Sequence, residues 1–145
     1  MSTEDSERAV RDYQAHVARI RPVLPEGVGI LGEAGGRDSL HDSRFGETIL
    51  HDSALQLRIH GYDWTGDGAV PTQDRAFRIV YHNATLLNLT EQEFFTRTSD
   101  AEAEILYCEF DLLPDGTFEH RVLLWPPRLG ELAVGFRNAT VETDR

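Results

Sequence analysis

Apolar side chains recur along this chain with two different periods, and the change comes near residue 39. Over residues 7–24, Ala9, Val10, Tyr13, Val17, Ile20 and Leu24 return every three or four positions, the spacing of one helical face. This predicts an amphipathic helix over 7–24. Thr3 or Ser6 would cap it, Glu4 and Asp5 would sit at the positive end of its dipole, and Pro22 and Pro25 would end it. Residues 26–38 are rich in glycine and charge and read as a loop. No lysine followed by Ser or Thr closes that stretch, so it is not a Walker phosphate loop.

From residue 39 onward the period is two. Leu55, Leu57 and Ile59 alternate with polar residues, as do Phe77, Ile79 and Tyr81. Leu106, Cys108, Phe110 and Leu112 form a third set, Phe118, His120, Val122 and Leu124 a fourth, and Leu132, Val134 and Phe136 a fifth. Alternation of this kind marks half-buried antiparallel strands. Asp115-Gly116 between the third and fourth sets predicts a hairpin over 104–125. Pro126-Pro127 should break the chain before the next strand. A short helix fits Glu91–Thr98. The expected fold is α+β, a single domain over 1–145. Its N-terminal helix would pack on a mostly antiparallel sheet or small sandwich of about six strands spanning 39–141. Two short echoes appear. Leu-His-Asp-Ser occurs at 40–43 and 50–53, and Tyr81-His82-Asn83-Ala84-Thr85 returns as Phe136-Arg137-Asn138-Ala139-Thr140. The second echo suggests two strands ending alike, with the aromatic inward and Asn-Ala at an exit or bulge, since Asn tolerates positive φ.

Composition narrows the function classes. The chain has 145 residues with 14 basic and 25 acidic side chains, a net charge of −11. An acidic surface repels phosphate, which argues against a nucleic-acid partner, and favours encounter with basic ones. No apolar run approaches the roughly 20 residues of a membrane helix, and the acidic first residues do not read as a secretory signal. The single Cys108 staples nothing, and a cytoplasmic location is expected.

Three groups of residues could carry chemistry. Residues 63–74, Asp-Trp-Thr-Gly-Asp-Gly-Ala-Val-Pro-Thr-Gln-Asp, resemble the calcium loop of EF-hand and dockerin proteins. That resemblance would place Asp63, Thr65, Asp67, the Ala69 carbonyl and Asp74 at ligand positions, with Gly68 at the sharp turn. Thr65 is a poorer ligand than Asp, Asp74 is shorter than the usual Glu, and both flanks read as strands. The alternative is an acidic loop joining two strands. Second, His41-Asp42 and His51-Asp52 are adjacent pairs near Ser43 and Ser53. A hydrolase built on His41 or His51 would need the fold to assemble a triad, because neighbouring strand residues point to opposite faces. The alternative is that His41 and Asp42 fix the start of the first strand by hydrogen bonds. Third, Tyr62, Trp64 and Trp125 could anchor a binding face.

The order of parts also resembles a family. Leu40-His41-Asp42-Ser43 opens the first strand, Leu-x-Leu-x-Ile follows at 55–59, and a strand ending aromatic-x-Asn-Ala spans 77–84. A hairpin and a final Glu-Leu-x-Val-x-Phe-x-Asn-Ala strand at 131–139 complete the set. This is similar to small uncharacterised bacterial β-rich domains with a Leu-His-Asp-Ser/Ala signature, some of which resemble immunity proteins of polymorphic toxin systems. The resemblance implies a non-enzymatic binding protein, with Leu40, His41, Asp42 and Ser43 as the family signature and no catalytic residues. Together with the charge, it leads to the expectation of an acidic face that binds a basic protein partner. Exposed edge strands leave room for a homodimer.

Overall fold

The computed structural model describes residues 3–35, 39–63, 72–125 and 130–143. The chain begins with α1 (Thr3–Ile20), which starts and ends about a turn earlier than the expected 7–24 and so holds position 6 inside the helix rather than at its cap, and α2 (Glu26–Gly35). Eight strands follow: β1 (Arg44–His51), β2 (Ala54–Asp63), β3 (Thr72–His82), β4 (Thr85–Leu86), β5 (Glu104–Leu112), β6 (Phe118–Trp125), β7 (Gly130–Phe136) and β8 (Asn138–Thr143). Helix α3 (Glu91–Thr98) lies between β4 and β5. The strands form two antiparallel four-stranded sheets, ordered β1-β2-β3-β8 and β4-β7-β6-β5. The α+β class is therefore as expected, with eight strands rather than about six. No described helix is long and apolar enough to cross a membrane.

One core is shared by both sheets. Leu55, Leu57, Ile59, Phe77, Ile79 and Tyr81 come from the first sheet, and Ile105, Cys108, Phe110, Val122, Leu124, Leu132, Val134 and Phe136 from the second. Most of these belong to the inward sets of the period-two pattern, but the register shifts between Ile105 and Tyr107, so Ile105 turns inward in place of the expected Leu106, and Leu112 at the end of that set is exposed. Tyr81 and Phe136, the aromatics of the second echo, meet across the core at a ring separation of 5.1 Å. Their segments pair, His82 with Asn138 and Tyr81 with Ala139. Asn83 has a φ of 54°, as expected at a strand exit. The hairpin turn after β5 is held by Asp115, whose carboxylate accepts from the Thr117 hydroxyl and amide, while Gly116 takes a φ of 87°. Those two bonds hold the Asp115 carboxyl below its ordinary range.

Three expectations need correction. Residues 26–35 are helix, not loop. Leu24, Val28 and Leu31 follow helical spacing and are buried, and tertiary packing outweighs the poor helix propensity of glycine. A Cβ on Gly27 would stand 3.1 Å from the Val141 backbone nitrogen, so the glycine lets α2 approach β8. The alternating run 131–139 is not one strand. It breaks at Arg137, whose amide donates to the His82 carbonyl at 3.1 Å, and the chain passes there from the second sheet to the first. Finally, Leu40-His41-Asp42-Ser43 forms the turn before β1 rather than its opening residues. Pro126-Pro127 lie outside the described residues.

Helix α3 starts with a capping box. The Glu93 amide donates to Thr90 Oγ1 and the Thr90 amide donates to Glu93 Oε1, both at 3.1 Å. These bonds hold the Glu93 carboxyl below its ordinary range. Its apolar side buries Phe94 fully. Thr90→Ala should lower stability by about 1 kcal/mol, measured by urea unfolding, while Thr90→Ser should stay near wild type.

Candidate functional site

The Leu-His-Asp-Ser signature is a knot of backbone bonds. Leu40, Ser39 and Ser43 are buried. The Ser43 amide donates to the Leu40 carbonyl at 3.0 Å, the Asp42 amide to the Ile105 carbonyl at 2.9 Å, and the Ile105 amide to the Ser43 carbonyl at 2.8 Å. His41 Nδ1 donates to the Leu106 carbonyl at 2.7 Å. The turn thereby fastens the first sheet to the start of β5.

Both echoed His-Asp pairs do come together, contrary to the expectation for neighbouring strand residues. His41 Nε2 lies 3.3 Å from Asp42 and His51 Nε2 lies 3.2 Å from Asp52. The cause is the backbone. Asp42 and Asp52 have φ of 63° and 48°, so the first pair sits in a turn and the second spans the step from the last residue of β1 into its turn. The pairs are nevertheless exposed and stand at opposite ends of the eight-residue β1. Ser43 Oγ is buried without a hydrogen-bond partner among the described residues, and His41 points to Leu106 instead. No nucleophile, base and orienting acid converge there.

Loop residues 64–71, and the side chains of Asp63 and Asp74, lie outside the described residues. So do Trp64 and the Tyr62 side chain. The candidate calcium positions Asp63, Thr65, Asp67, Ala69 and Asp74 are thus not brought together or kept apart by anything described. Their flanks are strands, paired from Asp63 to Thr72. Among the described residues no three His, Cys, Asp or Glu side chains form a metal set.

A second polar group lies inside the core. His120 Nδ1 and the Tyr81 hydroxyl are 2.6 Å apart, joining the two sheets. The imidazole stacks on Phe110 with 4.0 Å between ring centres. Burial pushes the His120 pKa down to about 3. Burial, and then the neighbouring Cys108, push the Tyr81 hydroxyl well above its ordinary range. Both groups are neutral in the folded protein. Ser39 Oγ and Cys108 Sγ form another buried pair at 3.3 Å.

The outer surface of the second sheet carries one cluster of charged side chains. Cys108, Phe110, His120 and Val122 face inward, so Tyr107, Glu109 and Asp111 of β5 and Glu119, Arg121 and Leu123 of β6 face out. The register places Glu109 opposite Arg121, Asp111 opposite Glu119, and Tyr107 opposite Leu123, which is in turn opposite Glu131 of β7. Arg121 contacts Glu109 and Glu119, each at 3.1 Å. Two carboxylates thus hold one guanidinium, and Asp111 and Glu131 share the same face. Partial burial raises the Glu119 pKa, and the charges of Asp111 and Glu131 raise it further, against the pull of Arg121. Tyr107, Glu109, Arg121, Leu123 and Glu131 line a shallow depression. Trp125, 48% exposed, closes the end of β6, and His16 of α1 meets Asp111 at 3.0 Å on the other flank.

Sequence reasoning anticipated an acidic face but did not name these residues. The signal was present in the hairpin, because its turn sets the register and the register sets which carboxylates share a face. Comparison with known protein families, curated proteins and solved structures finds no match.

Proposed function

We propose that this chain is a non-enzymatic, cytoplasmic protein-binding domain, immunity-like in character, that receives a basic partner on the outer face of the second sheet. The observation that carries the reading is the alignment of Glu109, Asp111, Glu119 and Glu131 on the face that carries Arg121, where Tyr107, Glu109, Leu123 and Glu131 line one depression. An excess of carboxylates over the single guanidinium steers a basic partner and sets its orientation. Aromatic and apolar side chains among them supply the desolvated contact that charge alone does not. Trp125 extends that apolar contact along β6. The exposed, separated His-Asp pairs favour binding over catalysis.

The test uses a soluble Arg-rich peptide as probe, followed by calorimetry. Raising salt from about 0.05 M to about 0.5 M should weaken binding about ten-fold or more. Neutralising Glu109, Asp111 and Glu131 as Gln, Asn and Gln should weaken it by a similar factor. Neutralising Glu4, Asp5 and Glu7 of α1 should leave it nearly unchanged. Equal loss in both triple variants would reduce the effect to net charge and overturn the assignment to this face.

A further inference from the structure

A β-sheet edge offers unpaired backbone groups to any passing strand, and folded proteins cover or shorten such edges. Three of the four edges here are managed in that way. Helix α2 packs on β8. The Phe110 amide of β5 donates to the Tyr13 hydroxyl of α1 at 2.8 Å. Strand β4 has only two residues, and the Asn88 side chain continues its pairing with β7, bonding the Glu131 carbonyl at 2.8 Å and the Ala133 amide at 2.9 Å.

Strand β1 also meets α3 and β5, but among the described residues its second half has no backbone partner on its free side. Its start is tied down, since Arg44 bonds Glu104 at 2.7 Å and the Ala101 carbonyl at 3.1 Å. Its second half, Glu47–His51, pairs with β2 on one side. Among the described residues no backbone hydrogen bond joins it to another element on the other side. The β1–β2 turn has two residues, Asp52 and Ser53, with φ of 48° and 70°. A two-residue turn makes His51 and Ala54 an exchanging pair. Strict alternation then leaves the amides and carbonyls of Thr48 and Leu50 facing away from β2. Ile49, between them, is 41% exposed on the outer face.

We infer that Glu47–His51 pairs antiparallel with the same segment of a second copy, on a two-fold axis through Ile49. The segment is self-complementary in that register. Thr48 lies opposite Leu50 of the other copy and exchanges both backbone bonds with it, twice over. Ile49 meets its own symmetry mate. Glu47 lies opposite His51, again twice, so a carboxylate faces the imidazole that Asp52 of its own chain also meets at 3.2 Å. The two first sheets join into one sheet of eight strands. The depression lined by Tyr107, Glu109 and Glu131 lies on the other sheet, so pairing leaves it open.

Sedimentation equilibrium of the full chain tests this, with circular dichroism confirming that each variant is folded. A reversible dimer is expected at concentrations reached in roughly the micromolar to millimolar range. Ile49→Lys puts two cations on the axis and should weaken the dimer about ten-fold or more while leaving the spectrum unchanged. His51→Glu sets carboxylate against carboxylate twice and should weaken it about three- to ten-fold, whereas Glu47→Lys removes the carboxylate–imidazole contact and should weaken it less. The double variant Glu47→Lys/His51→Glu restores opposite charges in the same register and should return most of the loss. A monomer at every concentration overturns the inference. So does a double variant no better than the weaker single one, because the register through Ile49 is then wrong.

Discussion

Lowering the pH from about 7 to about 4.5 should strip roughly 3 kcal/mol of stability from the folded chain, mainly through His120. The imidazole is buried, its pKa is pushed down to about 3, and an unfolded histidine titrates near 6.5. Above pH 6.5 neither state binds the proton and the term is absent. Below it the unfolded chain takes up a proton that the folded core refuses. Each further unit of acidification then costs about 1.4 kcal/mol until the folded group itself titrates. The titratable group bonded to it is Tyr81, which Cys108 neighbours in turn, and neither gains a compensating charge in acid. Glu119 works in the other direction at lower pH, because its raised pKa lets the folded state take up a proton early. Urea unfolding at a series of pH values reads the slope. Tyr81→Phe should cost about 1–3 kcal/mol at pH 7, since it leaves His120 Nδ1 buried and unpaired. The double variant Tyr81→Phe/His120→Phe removes both polar groups, so it should recover most of that loss and flatten the slope between pH 6.5 and 4.5. A wild-type slope that survives in the double variant would show that other groups carry the acid sensitivity.

How legible each part was depends on whether its cause is local. Helix α3 was legible because Thr90 and Glu93 make its cap within one turn of chain. The β5–β6 hairpin was legible because alternation and Asp115-Gly116 agree, and they place His120 in the core even though it is polar. Helix α2 was not legible. Its glycines argue against a helix locally, and what overrides them is contact with β8, distant in sequence. The break at Arg137 was hidden for a similar reason. The alternation runs straight through it, and the bond that stops the strand comes from His82. The His-Asp contacts were hidden because positive φ at Asp42 and Asp52 leaves no trace in a hydrophobic pattern. Of the candidate site, the net charge was visible from composition. The placing of Glu109, Asp111, Glu119 and Glu131 on one face needed the register of three strands.

Gly61→Ala should cost on the order of 3 kcal/mol, far more than a single methyl usually does on a strand. A Cβ added at Gly61 would stand 2.8 Å from the Ser43 Cβ and 2.9 Å from its Cα, and would also strike the hydroxyl. Flexible side-chain ends can yield to such an intrusion, but Ser43 cannot. Its amide is held by Leu40 and its carbonyl by the Ile105 amide, so moving it would pull the first sheet away from β5. Two other glycines make the contrast. A Cβ at Gly46 meets the Nε2 end of His60 at 2.5 Å, and one at Gly29 meets the Arg21 guanidinium at 2.6 Å. Those groups end long, rotatable side chains, so Gly46→Ala should stay within about 1 kcal/mol of wild type, and Gly29→Ala, in mid-helix, should do the same or stabilise. Ser43→Gly in the Gly61→Ala background removes the Cβ and hydroxyl and should recover part of the loss. Chemical denaturation of the four variants separates these outcomes. Near-wild-type stability of Gly61→Ala would mean that the Leu40–Ser43 turn yields, and that the signature does not clamp the sandwich as its hydrogen bonds imply.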